Sequence, residues 1–386
     1  MSTDLSGGMD STSLCFLAAS ATPNLLTFRW GEAEAGNDDA VFAAHAMRAL
    51  AEAEHHVVAP HELPPLFADP HVPEGTEEPY PFARTAARTR HSARVLAQRG
   101  SRRHLAGHGG DELFTPLPGY LHHLLWRHPI TAIRHVRGYA ALKRWPTWST
   151  LAKLARPGDV ASWWRTQANW LTAPAPPRRR PVLGWGLWPL RAPDWATSAG
   201  IDLAQAALRR AAEQAQPLAT DPGQHQTLLV LRTYAAHYRL LARLFSEAGT
   251  ELDVPFFDDR VAEAVLTVRT HEHAGPWRYK PLLAEAMRGI VPDEIAGRST
   301  KGEFSADIRI GLHRNTPSIL ESFADSALAE HGLINPDAVR THLVTPQPTT
   351  TGAFALEALI GCETWLRTAL QPTTPTRRTD AAPTAP

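Results

Sequence analysis

An α/β fold built on a doubly wound parallel sheet is what the first 125 residues predict, and three observations predict it. Short apolar stretches of strand composition alternate with stretches of helical length and period. Two of the strand-like stretches, Ser2 to Leu5 and Arg103 to Ala106, run straight into glycine turns. Each turn passes at once into a carboxylate and a helix start: Ser6-Gly7-Gly8-Met9-Asp10-Ser11 first, and Gly107-His108-Gly109-Gly110-Asp111-Glu112-Leu113-Phe114 second. In an open α/β sheet such turns converge at the carboxyl edge, where ligands bind.

The elements follow in order. Thr12 to Ala21 is an apolar helix, and Leu25 to Trp30 a strand. Asp38 and Asp39 open a helix running to Ala53, with Val41, Phe42, Met47 and Leu50 forming an apolar stripe. His56 to Ala59 reads as the third strand and Ala83 to Gln98 as the third helix. Arg84, Arg88, Arg90 and Arg94 on that helix read as a solvated face, with contact to phosphate or substrate as the rival reading. Residues 126–200 change character: nine of the twelve tryptophans lie there, mixed with proline and arginine. This stretch reads as a helical insertion with a proline-rich linker and buried tryptophans, or else as a surface that docks a peptide or partner protein. Residues 201–370 read as helical, including one long amphipathic helix from Leu228 to Ala248 that Gly249 stops. Residues 371–386 read as a disordered tail.

The first hexapeptide reads as a cradle for pyrophosphate, against the rival of a plain Gly-Gly turn joining a strand to a helix. Its two glycines allow backbone N–H groups to turn inward, and the helix N-terminus behind them adds positive partial charge. Ser6 and Ser11 add hydroxyl donors, and Asp10 a carboxylate for the Mg2+ that accompanies a nucleotide. No Gly-Lys-Ser/Thr follows, so the loop is not of the Walker type, and cleavage between the α- and β-phosphates is the expected chemistry. Asp10 and Asp111 are expected to hold one magnesium between them.

Bulk properties narrow the field. Lys plus Arg equals Asp plus Glu, at 39 each, so no global field favours nucleic acid or an anionic membrane, and neither is an expected partner. Cys15 and Cys362 form no disulfide framework, and there is no signal peptide or apolar run of membrane-spanning length, which predicts a cytoplasmic protein. Cys15 reads as a small buried apolar residue. The pairs His55-His56 and His122-His123 lack ligand spacing to a Cys or carboxylate and read as surface or strand-end residues.

With Glu251, Pro255-Phe256-Phe257-Asp258 and Lys301-Gly302-Glu303-Phe304-Ser305 added to the two glycine signatures, the chain resembles the asparagine synthetase-like ATP pyrophosphatases. That family includes asparagine synthetase, β-lactam synthetase and the lasso-peptide cyclases. The stretch Arg298 to Ser305 and the form Gly-His-Gly-Gly-Asp-Glu-Leu-Phe look most like the cyclases. The resemblance implies a PP-loop fold of the adenine nucleotide alpha hydrolase type with a helical C-terminal region, and ATP and Mg2+ as cofactors. Residues 1–125 would form the ATP-binding core, 126–200 the insertion and 201–370 the helical part of the synthetase domain.

The resemblance also implies roles. Leu5, Ser6, Gly7, Gly8, Ser11 and Gly107 would hold the nucleotide, and Trp30 lies at the strand position whose backbone faces adenine. Asp10 and Asp111 would bind the metal, and Lys301 matches the family's catalytic lysine. Asparagine synthetase has a glutamate and β-lactam synthetase a tyrosine where this chain has His108. An α-amino group with pKa near 8 and a histidine near 6.5 suit proton transfer, so His108 is expected to act as base or to position the amine, against a purely structural role in its own turn. Glu251 aligns with a family glutamate on the substrate side, to orient the amine or buttress the turn. The chain begins Met1-Ser2-Thr3 and goes straight into the nucleotide site, so the family's glutaminase domain is expected to be absent, with a late start site at Met1 as one reading and an organism that dispenses with the domain as the other. The leading expectation is a lasso-peptide cyclase acting on a precursor core peptide, with a leader peptidase or leader-binding protein as further partners. The alternatives are an ammonia-dependent amidotransferase acting on aspartate and a truncated ATP-binding scaffold without turnover.

Overall fold

A computed structural model describes residues 1–31, 36–70, 76–156, 158–174, 181–298, 305–345 and 351–370. The tail at 371–386 and the loop carrying Lys301 lie outside the described residues.

Five parallel strands make the sheet: β1 (Ser2–Asp4), β2 (Leu26–Trp30), β3 (Glu54–Val58), β4 (Arg103–Leu105) and β5 (Glu251–Asp253), in the order β3-β2-β1-β4-β5. Ser2 lies opposite Leu26 on one side and His104 on the other, and Arg103 opposite Glu251. The doubly wound α/β class is therefore the observed one. β5 sits inside the stretch that reads as helical. The central strand carries polar residues on buried positions because they are satisfied there: Ser2 Oγ lies 2.7 Å from Ser101 Oγ and 2.9 Å from His104 Nδ1.

Helices cover both faces. α1 (Met9–Ala21) starts three residues before its predicted start, with Gly8 as N-cap and no side-chain cap, so its first amides remain for an anion. α2 (Asp39–Ala49) ends short of Ala53 because the chain turns at Leu50 into β3, where the Glu54 amide donates to Leu25 O. A 3-10 turn at Ala83–Thr85 leads into α3 (Ala86–Gln98). The arginines there are not a solvated face. Arg88 is buried and bonded to Pro64 O and Asp307, Arg90 pairs with Asp69 and Arg84 with Glu357, and only Arg94 of the four is exposed.

α4 (Gly110–Phe114) follows the second glycine turn. α5 (Tyr120–Arg127), α6 (Pro129–Lys143) and α7 (Thr147–Leu154) pack around their own core of Leu121, Leu124, Val136, Tyr139 and Leu154, and α8 (Val160–Trp170) and α9 (Ser198–Glu213) lie against each other. Of the tryptophans in this region Trp145, Trp185 and Trp195 are buried, whereas Trp126, Trp148 and Trp188 are exposed, so neither reading of the insertion covers all of them.

α10 (Pro222–Glu247) starts six residues before Leu228: Asp221 caps it by accepting from the Gln224 amide, and Pro222 is at its first position. Gly249 stops it as predicted, at φ +84°. Two cores sandwich the sheet. One holds Leu5, Leu14, Cys15 and Leu25 with Leu113, Phe256 and the helix Pro281–Ala286, and the other holds Phe28, Val58, Leu96 and Phe245. Burial pushes the Cys15 thiol up to about 12, in keeping with an inert core residue.

Candidate active site

The strand order reverses between β1 and β4, so the loops after these two strands leave the sheet side by side. Their contact is intimate. A Cβ on Gly107 would stand 2.7 Å from the Ser11 amide nitrogen, and one on Gly110 would stand 2.2 Å from Asp10 Cγ. Glycine at these two places is what lets one loop lie on the other.

The residues of the first glycine turn lie together. Ser6 Oγ and Ser11 Oγ are 2.8 Å apart, and Leu5 is buried beneath them with its amide donating to Phe28 O. Gly7 turns with φ +86°, and its carbonyl accepts from Arg298 Nη1 at 2.8 Å. The same guanidinium, almost wholly buried, pairs with Asp38 and Asp39 at 2.6 Å each and lies over the Phe42 ring. Asp38, predicted as a helix cap, accepts no cap bond; it helps hold the arginine that fixes the cradle. Trp30 ends β2 with its indole N–H donating to Ser92 Oγ at 2.8 Å and the Arg88 guanidinium over its ring.

Asp10 and Asp111 come together on one cation. Lys280 Nζ is bonded to Asp10 Oδ2 and lies 2.8 Å from Asp111 Oδ1, which also accepts from the Tyr279 hydroxyl at 2.9 Å. The Lys280 side chain is fully buried, and its backbone is left-handed at φ +43° immediately before Pro281. Both features are costly for a lysine, and here the two carboxylates offset the burial. Burial and the adjacent Asp111 push the Tyr279 phenol well above its ordinary value. Sequence reasoning missed Lys280: a lysine before a proline carries no local sign of a site. Two converging carboxylates are also hard oxygen donors of the kind magnesium takes.

The third corner is aromatic. His108 stacks on Tyr238, with centroids 4.6 Å apart and planes at 18°, and Tyr238 donates its hydroxyl to Glu112 Oε1 at 3.0 Å. Burial lowers the His108 pKa against the opposing pull of Asp4 and Glu112, so the ring is neutral at pH 7. Burial alone would raise the Asp4 carboxyl, but His104, 3.1 Å away, with His108 and the Gly107 amide, holds it below the usual range. Phe256 and Phe257 press against Gly109, and Asp258 caps the following helix, so this motif braces the second glycine turn.

Glu251 is not brought to this place. It stands exposed at the amino end of β5 and pairs with Arg103 at 2.9 Å, across the sheet from the glycine turns. Lys301 lies outside the described residues.

A cavity of about 470 Å³ is lined by the cradle, Asp10, Asp111, Trp30, His108, Glu112 and Tyr238. A larger hollow of about 900 Å³ opens beyond Val254 to Phe257. Its lining is mostly aliphatic and aromatic, and its charged groups are already paired, Arg260 with Asp258 and Asp253 with Arg103. The smaller cavity, with convergent carboxylates, donors and a neutral imidazole, is the one equipped for chemistry. Among the described residues no group of three or more His, Cys, Asp and Glu is placed to hold a metal, and no helix is long and apolar enough to cross a membrane.

A parallel sheet with two glycine turns and paired carboxylates at its switch point is the frame of a nucleotide-dependent α/β enzyme. Residues 1–367 match the asparagine synthase family, and the chain belongs to it. Membership carries ATP-dependent amide-bond formation as the general activity. Among curated proteins none matches the chain.

Proposed function

We propose that this protein is an AMP-forming ligase that closes a peptide into a macrolactam, as a lasso-peptide cyclase does. The observation that carries the reading is the neutral His108 imidazole in one cavity with Asp10 and Asp111, the two carboxylates that Lys280 joins from beneath. A carboxylate oxygen of an Asp or Glu side chain attacks the α-phosphorus of ATP, the bond to the β-phosphate oxygen breaks, and pyrophosphate leaves. The peptide's N-terminal amine then attacks the acyl carbon, AMP departs with its bonding pair, and the amine's surplus proton passes to His108.

The cradle amides and the Ser6 and Ser11 hydroxyls bind phosphate oxygens. Lys280 holds the Asp10 and Asp111 carboxylates together next to them, and losing such an electrostatic contact commonly costs about 100- to 1000-fold in rate. Lys301 is expected by resemblance to add a second cation. Asp10 and Asp111 would hold a magnesium ion, which supplies charge neutralisation for the leaving pyrophosphate. Glu112, through Tyr238, keeps the face on which His108 stacks in place.

The test compares AMP formation from a linear core peptide bearing Asp or Glu with that from aspartate plus ammonia, reading the peptide mass in the same tubes. AMP with the peptide alone, together with loss of one water, supports the cyclase. AMP with aspartate and ammonia establishes the amidotransferase, and AMP with neither favours the scaffold.

A further inference from the structure

The chain is neutral overall, but its charge is not evenly spread. No Asp or Glu occurs between Glu112 and Asp159, while seven Lys and Arg do. That carboxylate-free stretch is α5, α6 and α7 with their connections. The outer stripe of α6, at helical spacing, is Ile130, Ile133, Arg134 and Arg137, and the exposed Arg144 follows at its C-cap. Large apolar side chains on the same three helices are exposed as well: Ile130 and Trp148 at 84% each, Trp126 at 71% and Leu142 at 62%. Arg134 also lies over the ring of Trp277, itself half exposed.

We propose that this face docks onto an anionic lipid bilayer, the arginines at the headgroup phosphates and Trp126, Ile130 and Trp148 in the interface. Charge complementarity selects an anionic partner. The shape favours a bilayer over an acidic protein or peptide, because the apolar groups stand out singly on convex helices. Neither cavity described above is lined by any residue of these helices. Trp and aliphatic side chains flanked by Arg and Lys are what an interfacial element presents. Surface docking needs no membrane-spanning helix, and it is independent of the reaction proposed for the nucleotide site.

The test is co-sedimentation of the full chain with vesicles of phosphatidylcholine alone, of phosphatidylcholine with phosphatidylglycerol, and retention on polyglutamate as a protein-like polyanion. Binding is expected to the phosphatidylglycerol vesicles only, and to weaken when salt rises from about 0.1 M to about 1 M. Arg134→Ala with Arg137→Ala should lower partitioning roughly 25-fold, at about five-fold per cation. Ile130→Ser with Trp148→Ser should lower it by at least about tenfold. These four residues lie outside the helices' own core, so melting temperature should hold in both variants. Absence of binding to the anionic vesicles, equal binding to neutral ones, unchanged binding by the variants, or capture by polyglutamate without vesicle binding would each overturn the proposal.

Discussion

The imidazole of His108 lies flat on the phenol ring of Tyr238, 4.6 Å between centroids, at the mouth of the nucleotide cradle. Burial in this stack lowers the pKa of His108 from 6.5, so the folded protein holds the ring neutral where an exposed histidine would begin to protonate. The unfolded chain binds more protons over that interval, and stability rises with pH through it. Amide formation should therefore show an acid limb below pH 6.5. His108→Gln should remove the limb and lower the plateau rate by roughly 100- to 10,000-fold. A pH profile of macrolactam formation decides the matter: an unchanged limb in the variant would assign the proton transfer elsewhere.

Lys280 neutralises two carboxylates whose loops arise from different strands. Lys280→Met keeps the length and removes the charge, leaving the mostly buried Asp10 and the half-exposed Asp111 to repel each other. ATP–pyrophosphate exchange is expected to fall about 100- to 1000-fold. Melting temperature should fall with it, because an uncompensated buried carboxylate is costly. Exchange and melting measured on the same preparation check both; exchange at the parental rate would remove Lys280 from the reaction.

The parts of this site that were legible in the sequence are the local ones. Strand, glycine turn, carboxylate and helix start occupy ten or twelve consecutive residues, Ser2 to Ser11 and Arg103 to Phe114, and so Asp10 and Asp111 announce themselves. Lys280 is 270 positions from Asp10 and is brought there by tertiary packing alone. β5 was equally silent: Glu-Leu-Asp between a helix stop and a proline is too short to show an alternating pattern. Whole-chain neutrality, for its part, conceals the cationic helices because acidic residues elsewhere balance them.

Arg298 holds the cradle from behind, bonding Gly7 O and pairing with Asp38 and Asp39. Arg298→Ala leaves the buried Asp39 carboxylate without this partner, a loss of about 3 kcal/mol for a buried pair. It also frees the carbonyl that pins the Gly7 turn. The variant should melt several degrees lower and bind ATP at least tenfold more weakly. Calorimetry with and without nucleotide checks this, and Arg298→Lys should restore part of the stability but not the paired geometry.

Gly107 and Gly110 both permit close approach of the two signatures, yet substitution should separate them. A Cβ on Gly107 meets the backbone of Ser11, with N at 2.7 Å and Cα at 2.9 Å, and backbone there is tied into the sheet and α1. A Cβ on Gly110 meets the side chain of Asp10, whose carboxylate can turn away from Lys280 while its Cβ, at 2.7 Å, must shift slightly. Gly107→Ala should therefore cost about 1–3 kcal/mol of stability by overpacking as well as nucleotide binding. Gly110→Ala should cost less stability than this, although loss of the Asp10–Lys280 contact lowers its melting temperature too, and ATP–magnesium should stabilise it far less, since the displaced group is the carboxylate itself. Thermal melts of both variants with and without ATP–magnesium test the distinction. Equal destabilisation by the two would mean that Asp10 is held as rigidly as the backbone, and that its contact with Lys280 belongs to the scaffold of the fold.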